Sequence, residues 1–212
     1  MFIEVAGVDG SGKTTVLQLI RRHLLDRGIQ TWERSLRSVA KLLFNDLAAE
    51  AGHPHWSGLF TADEVEIAHA VEMVAQVRSQ ILSLNLDRQS FVSDTYVCRW
   101  LATAQMWEAT NLHHLVTVFG ILPPPDVSIR LVLDPATAYR RIQERPQGDS
   151  LLKMSDASRI KRYADAFETA TRYFPYPTVP VDANRPLDLV MSEILEVVDK
   201  AAARMCPIGR PA

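Results

Sequence analysis

The amino-acid sequence predicts an α/β fold: a five-stranded parallel sheet with helices on both faces. Three observations carry that reading. Short apolar runs alternate with longer segments of helical periodicity along the chain. Three of the nine glycines fall within residues 7–12, between the first apolar run and the first helical one. Two further runs end in a carboxylate, Asp94 and Asp134. Right-handed crossovers would bring all such strand ends to one edge, where a ligand site is expected.

Residues 2–6 form the first expected strand, an apolar run ending in the glycine-rich turn. Residues 13–27 place Val16, Leu17, Ile20, Leu24 and Leu25 on one helical face and Arg21, Arg22 and Asp26 opposite; Gly28 sits where a helix C-cap glycine belongs. Residues 29–33 read as a second strand, 39–49 as a helix and 51–57, with Gly52 and Pro54, as a loop. A long helix is expected over 62–84, a third strand over 90–94 and another helix over 99–118, stopped by Pro123, Pro124 and Pro125. A fourth strand over 127–133 precedes helices over 136–144 and 157–172. A fifth strand over 179–182 and a helix over 187–204 follow. Residues 206–212 hold two prolines and a glycine and read as a loose tail. The whole of 1–212 reads as one domain.

Composition narrows the function classes. At 212 residues, 47% apolar and 23% charged, the chain suits a packed core. Its 23 Lys and Arg against 25 Asp and Glu leave a net charge of −2, which argues against a global grip on a nucleic acid polymer. Cys98 and Cys206 make neither a disulfide framework nor a four-thiolate metal site, and a reducing, cytoplasmic compartment is expected. No run approaches the roughly 20 apolar residues of a membrane span, and the N-terminus has no signal-peptide pattern.

Residues 7–14 read Gly-Val-Asp-Gly-Ser-Gly-Lys-Thr, which fits Gly-x4-Gly-Lys-[Ser/Thr] with a strand before it and a helix after it. Gly7, Gly10 and Gly12 let backbone N–H groups, with those of Ser11 and Thr15, curl around phosphate oxygens. The helix that follows points its positive end at the same anion. Lys13 would reach the β- and γ-phosphates, and Thr14 would place its hydroxyl on Mg²⁺. ATP with Mg²⁺ is the expected cofactor. Asp94 is the natural partner, able to hold a metal-bound water or polarise the acceptor.

Between residues 140 and 162 the chain carries Arg140, Arg141, Arg145, Lys153, Arg159, Lys161 and Arg162 against Glu144, Asp149 and Asp156. Phosphoryl transfer needs positive charge on the migrating group and exclusion of water, and a basic helical lid over about 140–160 supplies both. Arg141 and Arg145 are its foremost candidates. Other signals read as structural. Glu66 and His69 stand three apart as in carboxylate-bridged metal sites, but no second pair accompanies them. His113 and His114 are adjacent and point apart, and Trp100 and Trp107 read as packing residues.

Residues 7–15 resemble the opening motif of the thymidylate kinases. Glu33-Arg34-Ser35 and Lys41-Leu42-Leu43 resemble the segment after the second strand in eukaryotic-type members. Val92-Ser93-Asp94-Thr95-Tyr96 resembles the Asp-Arg-Tyr segment, Pro125-Asp126 to Leu133-Asp134 the fourth strand, and Val181-Asp182-Ala183 with Pro186 the loop against adenine. The resemblance implies a P-loop kinase fold, Mg-ATP as donor, a nucleoside monophosphate as acceptor and a homodimer. It also implies roles: Lys13 and the loop amides on the donor phosphates, Thr14 and Asp94 at magnesium, and Asp182 and Ala183 along the adenine. Asp9 would meet the acceptor's sugar, Arg34 its phosphate, and Arg141 would lie near adenine and lid.

Departures from the family pattern fall on the acceptor side. The arginine of Asp-Arg-Tyr is Thr95, which cannot replace a guanidinium that grips phosphate through two hydrogen bonds. Arg99, one helical turn on, is placed to reach into the gap. The family's thymine-stacking aromatic falls at His69 or Ala70, and its base-reading arginine at Glu72 or Met73. The glutamine of Ala-Tyr-Gln aligns with Ala104, beside Gln105. Two kinase readings follow. Arg34 and Asp9 favour a nucleoside monophosphate acceptor, dTMP or a relative. Thr95, Glu72/Met73 and the acids Asp63, Glu64 and Glu66 favour a nucleoside, an amine-bearing metabolite or another specialised small molecule. A nucleotide-binding regulator without turnover fits the basic lid and Asp94 less well.

Overall fold

A computed structural model describes residues 1–34, 36–144 and 157–204. Arg145, Lys153, most of the expected lid and the expected tail lie outside the described residues.

Five strands, β1 (Phe2–Gly7), β2 (Gln30–Glu33), β3 (Gln89–Ser93), β4 (Val127–Val132) and β5 (Val179–Asp182), form one sheet in the order β2-β3-β1-β4-β5. All neighbours pair in parallel. The helices are α1 (Lys13–Asp26), α2 (Ala40–Glu50), α3 (Ala62–Gln80), α4 (Val97–Met106), α5 (Leu112–Phe119), α6 (Pro135–Gln143), α7 (Ala157–Ala170) and α8 (Leu187–Ala202). The strand order reverses at β1, so the crevice of this sheet opens at the C-terminal ends of β1, β3 and β4. The fold is therefore the expected α/β architecture, and its switch point coincides with the glycine-rich segment.

Packing explains why β1 sits at the centre. Every residue of Phe2–Gly7 is buried, as covering helices on both faces of a parallel sheet require. Phe2 meets Phe91 and Tyr96 edge-on, with ring centroids 5.5 and 4.6 Å apart. On α1, Val16, Leu17, Ile20 and Leu24 are buried as their spacing predicts, whereas Leu25 is 44% exposed and joins the solvent face. Gly28 follows α1 at φ +77°.

One expected element divides. The helix expected over 99–118 is two, α4 and α5. After the α4 cap at Trp107, Glu108 takes a left-handed φ of 62°. The Glu108 N–H donates to the Gln105 carbonyl at 3.0 Å, and the Ala109 N–H to the Ala104 carbonyl at 3.0 Å, which closes a Schellman motif. Asp63, at the start of α3, then accepts from the backbone N–H groups of Thr110 and Asn111, each at 3.0 Å, and caps α5. Nothing local announced the break, because residues 97–119 hold neither glycine nor proline.

The left-handed glutamate makes a prediction. Glu108→Gly removes the Cβ penalty of that conformation and should stabilise the fold by about 1 kcal/mol. A urea unfolding midpoint at or below that of the natural chain would contradict it.

Candidate active site

The β1–α1 turn is built as a phosphate cradle. Gly7, Gly10 and Gly12 have φ values of 149°, 85° and 93°. A Cβ on Gly10 would stand 2.6 Å from the Ala138 carbonyl of α6, and one on Gly7 would stand 2.9 Å from the Leu131 carbonyl. The loop therefore approaches β4 and α6 more closely than any side chain allows. A Cβ on Gly12 would meet nothing within 4 Å, so the space over the start of α1 is open. The Ser11 hydroxyl is buried without a hydrogen-bond partner. An orphaned donor beside an open, glycine-lined helix N-terminus fits a phosphate. The Thr14 and Thr15 side chains are exposed at the same end.

Lys13 is buried and donates to the carbonyls of Gly7 at 2.9 Å and Val8 at 2.8 Å, with Asp9 Oδ1 at 3.4 Å. Burial lowers its pKa and outweighs the support of Asp9 and Asp94; Arg99 adds to the depression. The ammonium is thus held over its own loop, ready to exchange carbonyls for phosphate oxygens.

Across the crevice, Asp94 lies at the end of β3. Its Oδ1 accepts from the Thr95 hydroxyl at 2.8 Å, which orients the carboxylate. Arg99, in the first turn of α4, places one amino group 3.7 Å from Asp9 Oδ1 and the other 3.7 Å from Asp94 Oδ2. Tyr163 of α7 lies against it and favours its charge. Burial works against its charge, but Tyr163, Asp9 and Asp94 outweigh it and raise its pKa. The guanidinium therefore sits on the sheet edge between the two carboxylates, facing the Lys13 loop. Arg34, at the end of β2, is exposed; its backbone N–H donates to the Val92 carbonyl at 3.3 Å and its carbonyl accepts from Ser93 Oγ at 2.8 Å.

A groove beside the cradle is lined by Gly10, Ser11, Gly12, Thr15, Arg141, Ala183 and Arg185. Arg141 Nη2 donates to the Ala183 carbonyl at 3.4 Å. Asp182 leaves β5 and accepts from the Asn184 backbone and side chain at 3.0 and 2.7 Å. Arg185, which sequence reading passed over, lines this groove and donates to the Asp182 carbonyl at 3.2 Å. A basic residue between Asp182-Ala183 and Pro186 was the available signal.

The remaining candidates lie along α3. His69 is buried, with Nδ1 3.0 Å from Glu66 Oε2 and its ring edge-on to Trp100 at 5.9 Å. Lys41 donates to the other Glu66 oxygen at 2.6 Å. Burial lowers the His69 pKa, and Lys41 adds to the effect. Burial opposes the charge on Glu66, yet His69 and Lys41 prevail and lower its pKa. Met73 is fully buried. Glu72 accepts from the backbone N–H groups of Val39 and Ala40 at 2.7 and 2.9 Å and from Ser38 Oγ at 2.8 Å, which caps α2.

A family model described as thymidylate kinase matches residues 5–194. The chain belongs to the thymidylate kinase family. It is 30% identical over 208 residues to a probable thymidylate kinase of Pyrobaculum calidifontis, covering 97% of this chain and 99% of that protein. It is 26% identical over 213 residues to a thymidylate kinase of Exiguobacterium sp., covering 92% of each. A probable thymidylate kinase of Archaeoglobus fulgidus shares 25% over 203 residues, 94% of this chain and 95% of that protein. Membership in the thymidylate kinase family makes the protein an ATP-dependent phosphotransferase.

Lys13→Ala should abolish phosphoryl transfer while leaving the circular dichroism spectrum and melting cooperativity of the natural chain. Full turnover by that variant would refute the role of the cradle.

Proposed function

We propose that this kinase moves the γ-phosphoryl group of ATP to a nucleoside monophosphate, dTMP first among them. The observation that carries the reading is Arg99. Its guanidinium stands between Asp9 and Asp94 at the switch point, facing the loop that carries Lys13. That place supplies the cation that Thr95 lacks.

The acids that favoured a cationic acceptor have other work. Asp63 caps α5, and Glu64 closes a capping box with Thr61. Glu66 is paired with Lys41 and His69, and Glu72 caps α2. These engagements support an anionic acceptor over an amine-bearing one.

In this reading the loop amides, Ser11 and Lys13 bind the donor phosphates, while Arg141, Ala183 and Arg185 border the donor's base. Thr14 and Asp94 would hold Mg²⁺. A set of one hydroxyl and one carboxylate fits an ion that keeps several waters and takes phosphate oxygens. Among the described residues no cluster of three or more His, Cys, Asp or Glu forms an all-protein cage. Bound Mg-ATP supplies the transferable phosphoryl group and a counter-charge for its oxygens. An acceptor phosphate oxygen, already an anion, attacks in line, the bond to ADP breaks, and no protein base is needed. Arg99 would exchange its 3.7 Å carboxylate contacts for the transferring and acceptor phosphates, and Asp9 would orient the acceptor's sugar. Arg34, exposed at the β2 end of the crevice, would meet the acceptor phosphate from the other side.

Arg99→Leu should lower kcat/KM for dTMP by about tenfold to a thousandfold and leave ATP affinity within about threefold, with Arg99→Lys intermediate because it keeps charge but loses the fork. Coupled ADP release and calorimetric ATP titration measure the two. Unchanged turnover in Arg99→Leu would remove the central support, and failure of the natural chain to phosphorylate dTMP while consuming ATP with another acceptor would reassign the substrate.

The family's homodimer is proposed for this chain on its exposed apolar side chains. Val39, Leu42 and Leu43 beside α2, and Ile67 and Val71 on α3, are 43–64% exposed on helices that pack together. Sedimentation equilibrium should give twice the chain mass, and Leu42→Glu with Val71→Glu should halve it. A monomer at tens of micromolar would overturn this. A cytoplasmic location is proposed with it; among the described residues no helix is long and apolar enough to cross a membrane.

A further inference from the structure

Beneath the site lies a carboxylate that the chemistry above does not use. Glu4 is in the middle of β1, three residues before Gly7, and is completely buried. Its register partner on β4 is Ser128, whose hydroxyl donates to Glu4 Oε2 at 2.8 Å. The Tyr176 hydroxyl, from the segment between α7 and β5, donates to the same oxygen at 2.9 Å. The other oxygen accepts the backbone N–H of Cys98, in the first turn of α4, at 3.2 Å. Among the described residues no cation comes within ion-pair distance of it. The groups around it are the Ser128 and Tyr176 hydroxyls and the Cys98 thiol, with the Tyr96 phenol also within electrostatic reach, none of which carries charge at neutral pH.

An acid without a counter-ion in a central apolar strand is costly, and packing alone would select a valine or leucine there. What the carboxylate does is join four segments, each leading to a part of the site. β1 runs into the phosphate loop. α4 carries Arg99 immediately after Cys98. Tyr176 follows α7, which holds Tyr163 against Arg99. β4 runs out to the floor of the crevice. Because the carboxylate caps α4 at Cys98, it fixes the helical turn on which the Arg99 guanidinium is mounted.

We propose that Glu4 is a positioning residue for phosphoryl transfer, clamping the first turn of α4, and through it Arg99, to the strand that carries the phosphate loop. The inference rests on the reading that Arg99 serves the transferred and acceptor phosphates. It predicts a residue whose loss harms catalysis more than it harms the fold.

Glu4→Gln tests it. The amide's carbonyl oxygen still accepts from Ser128 and Tyr176, but its NH₂ meets the Cys98 N–H donor to donor, so the α4 clamp is lost. With dTMP as acceptor, kcat should fall by about tenfold or more, and KM for ATP should stay within about twofold. Amide hydrogen exchange should quicken in residues 97–100 and not in the remainder of α4. Stability should move the other way. Burial holds the Glu4 carboxyl above its ordinary range, against the pull of its three hydrogen bonds. Its contribution to stability is therefore full at low pH and is lost as pH rises through the folded value, so the glutamine variant gains on the natural chain toward alkaline pH.

Unchanged kcat and unchanged exchange at 97–100 in folded Glu4→Gln would overturn the proposal. So would a loss of kcat that tracks a lowered Tm. If the natural chain shows no dTMP kinase activity, the acceptor reading fails, while exchange at 97–100 still decides whether Glu4 clamps α4. Should Glu4→Gln not fold, Tyr176→Phe removes one donor and keeps the carboxylate; it should show a smaller loss of kcat and faster exchange at 97–100, and no change in either would overturn the proposal.

Discussion

The site depends on how closely the β1–α1 turn can approach its neighbours. Gly10 lies so near the Ala138 carbonyl that a Cβ would sit 2.6 Å away, and Gly7 is nearly as tight against Leu131. Only residues without a Cβ permit that approach and the positive φ values together. Once the turn is seated, α1 starts at a fixed point, Lys13 lies over the loop carbonyls, and the open N-terminus of α1 faces the switch point of the sheet. The ends of β3 and β4, α4 and the loop after β5 are arranged around that cradle.

Among the described residues, two cations and two carboxylates meet in the crevice before any substrate arrives. Lys13 and Arg99 face Asp9 and Asp94 across contacts of 3.4–3.7 Å, looser than strong ion pairs. Loose contacts keep both cations in place at modest electrostatic cost and leave them able to turn toward incoming phosphates. Tyr163 steadies Arg99 from α7, and Thr95 steadies Asp94 from the turn after β3. In the proposed reading Arg99, in the first turn of α4, serves as the cation of the crevice, while Thr95 holds the Asp94 carboxylate.

Legibility in the sequence followed the range of the interactions. The strands and helices, the phosphate loop and the family were readable because each rests on local periodicity or a contiguous motif. The position of Arg99 could be raised as a question from its spacing to Thr95, but its two carboxylate partners come from different strands. The acids of α3 looked alike as free negative charge: Glu64 closes a local capping box with Thr61, while Asp63, Glu66 and Glu72 are engaged by the segment before α5 and by α2 once these fold against α3. The division of α4 from α5 was hidden for the same reason, since Glu108 reverses the chain without a glycine and Asp63, more than forty residues earlier, caps the helix that follows.

By itself, the sequence determined the α/β class, the glycine-rich loop and the donor half of the chemistry. Those features need only side-chain size, period and an unbroken run of eight residues. The tertiary structure alone decided which charges are available at the crevice and which are consumed by the fold. That decision depends on contacts between segments far apart in the chain, as Glu4 shows with partners at positions 98, 128 and 176. A carboxylate is solvated, paired or used as a cap according to what folds against it, and composition carries no record of that choice.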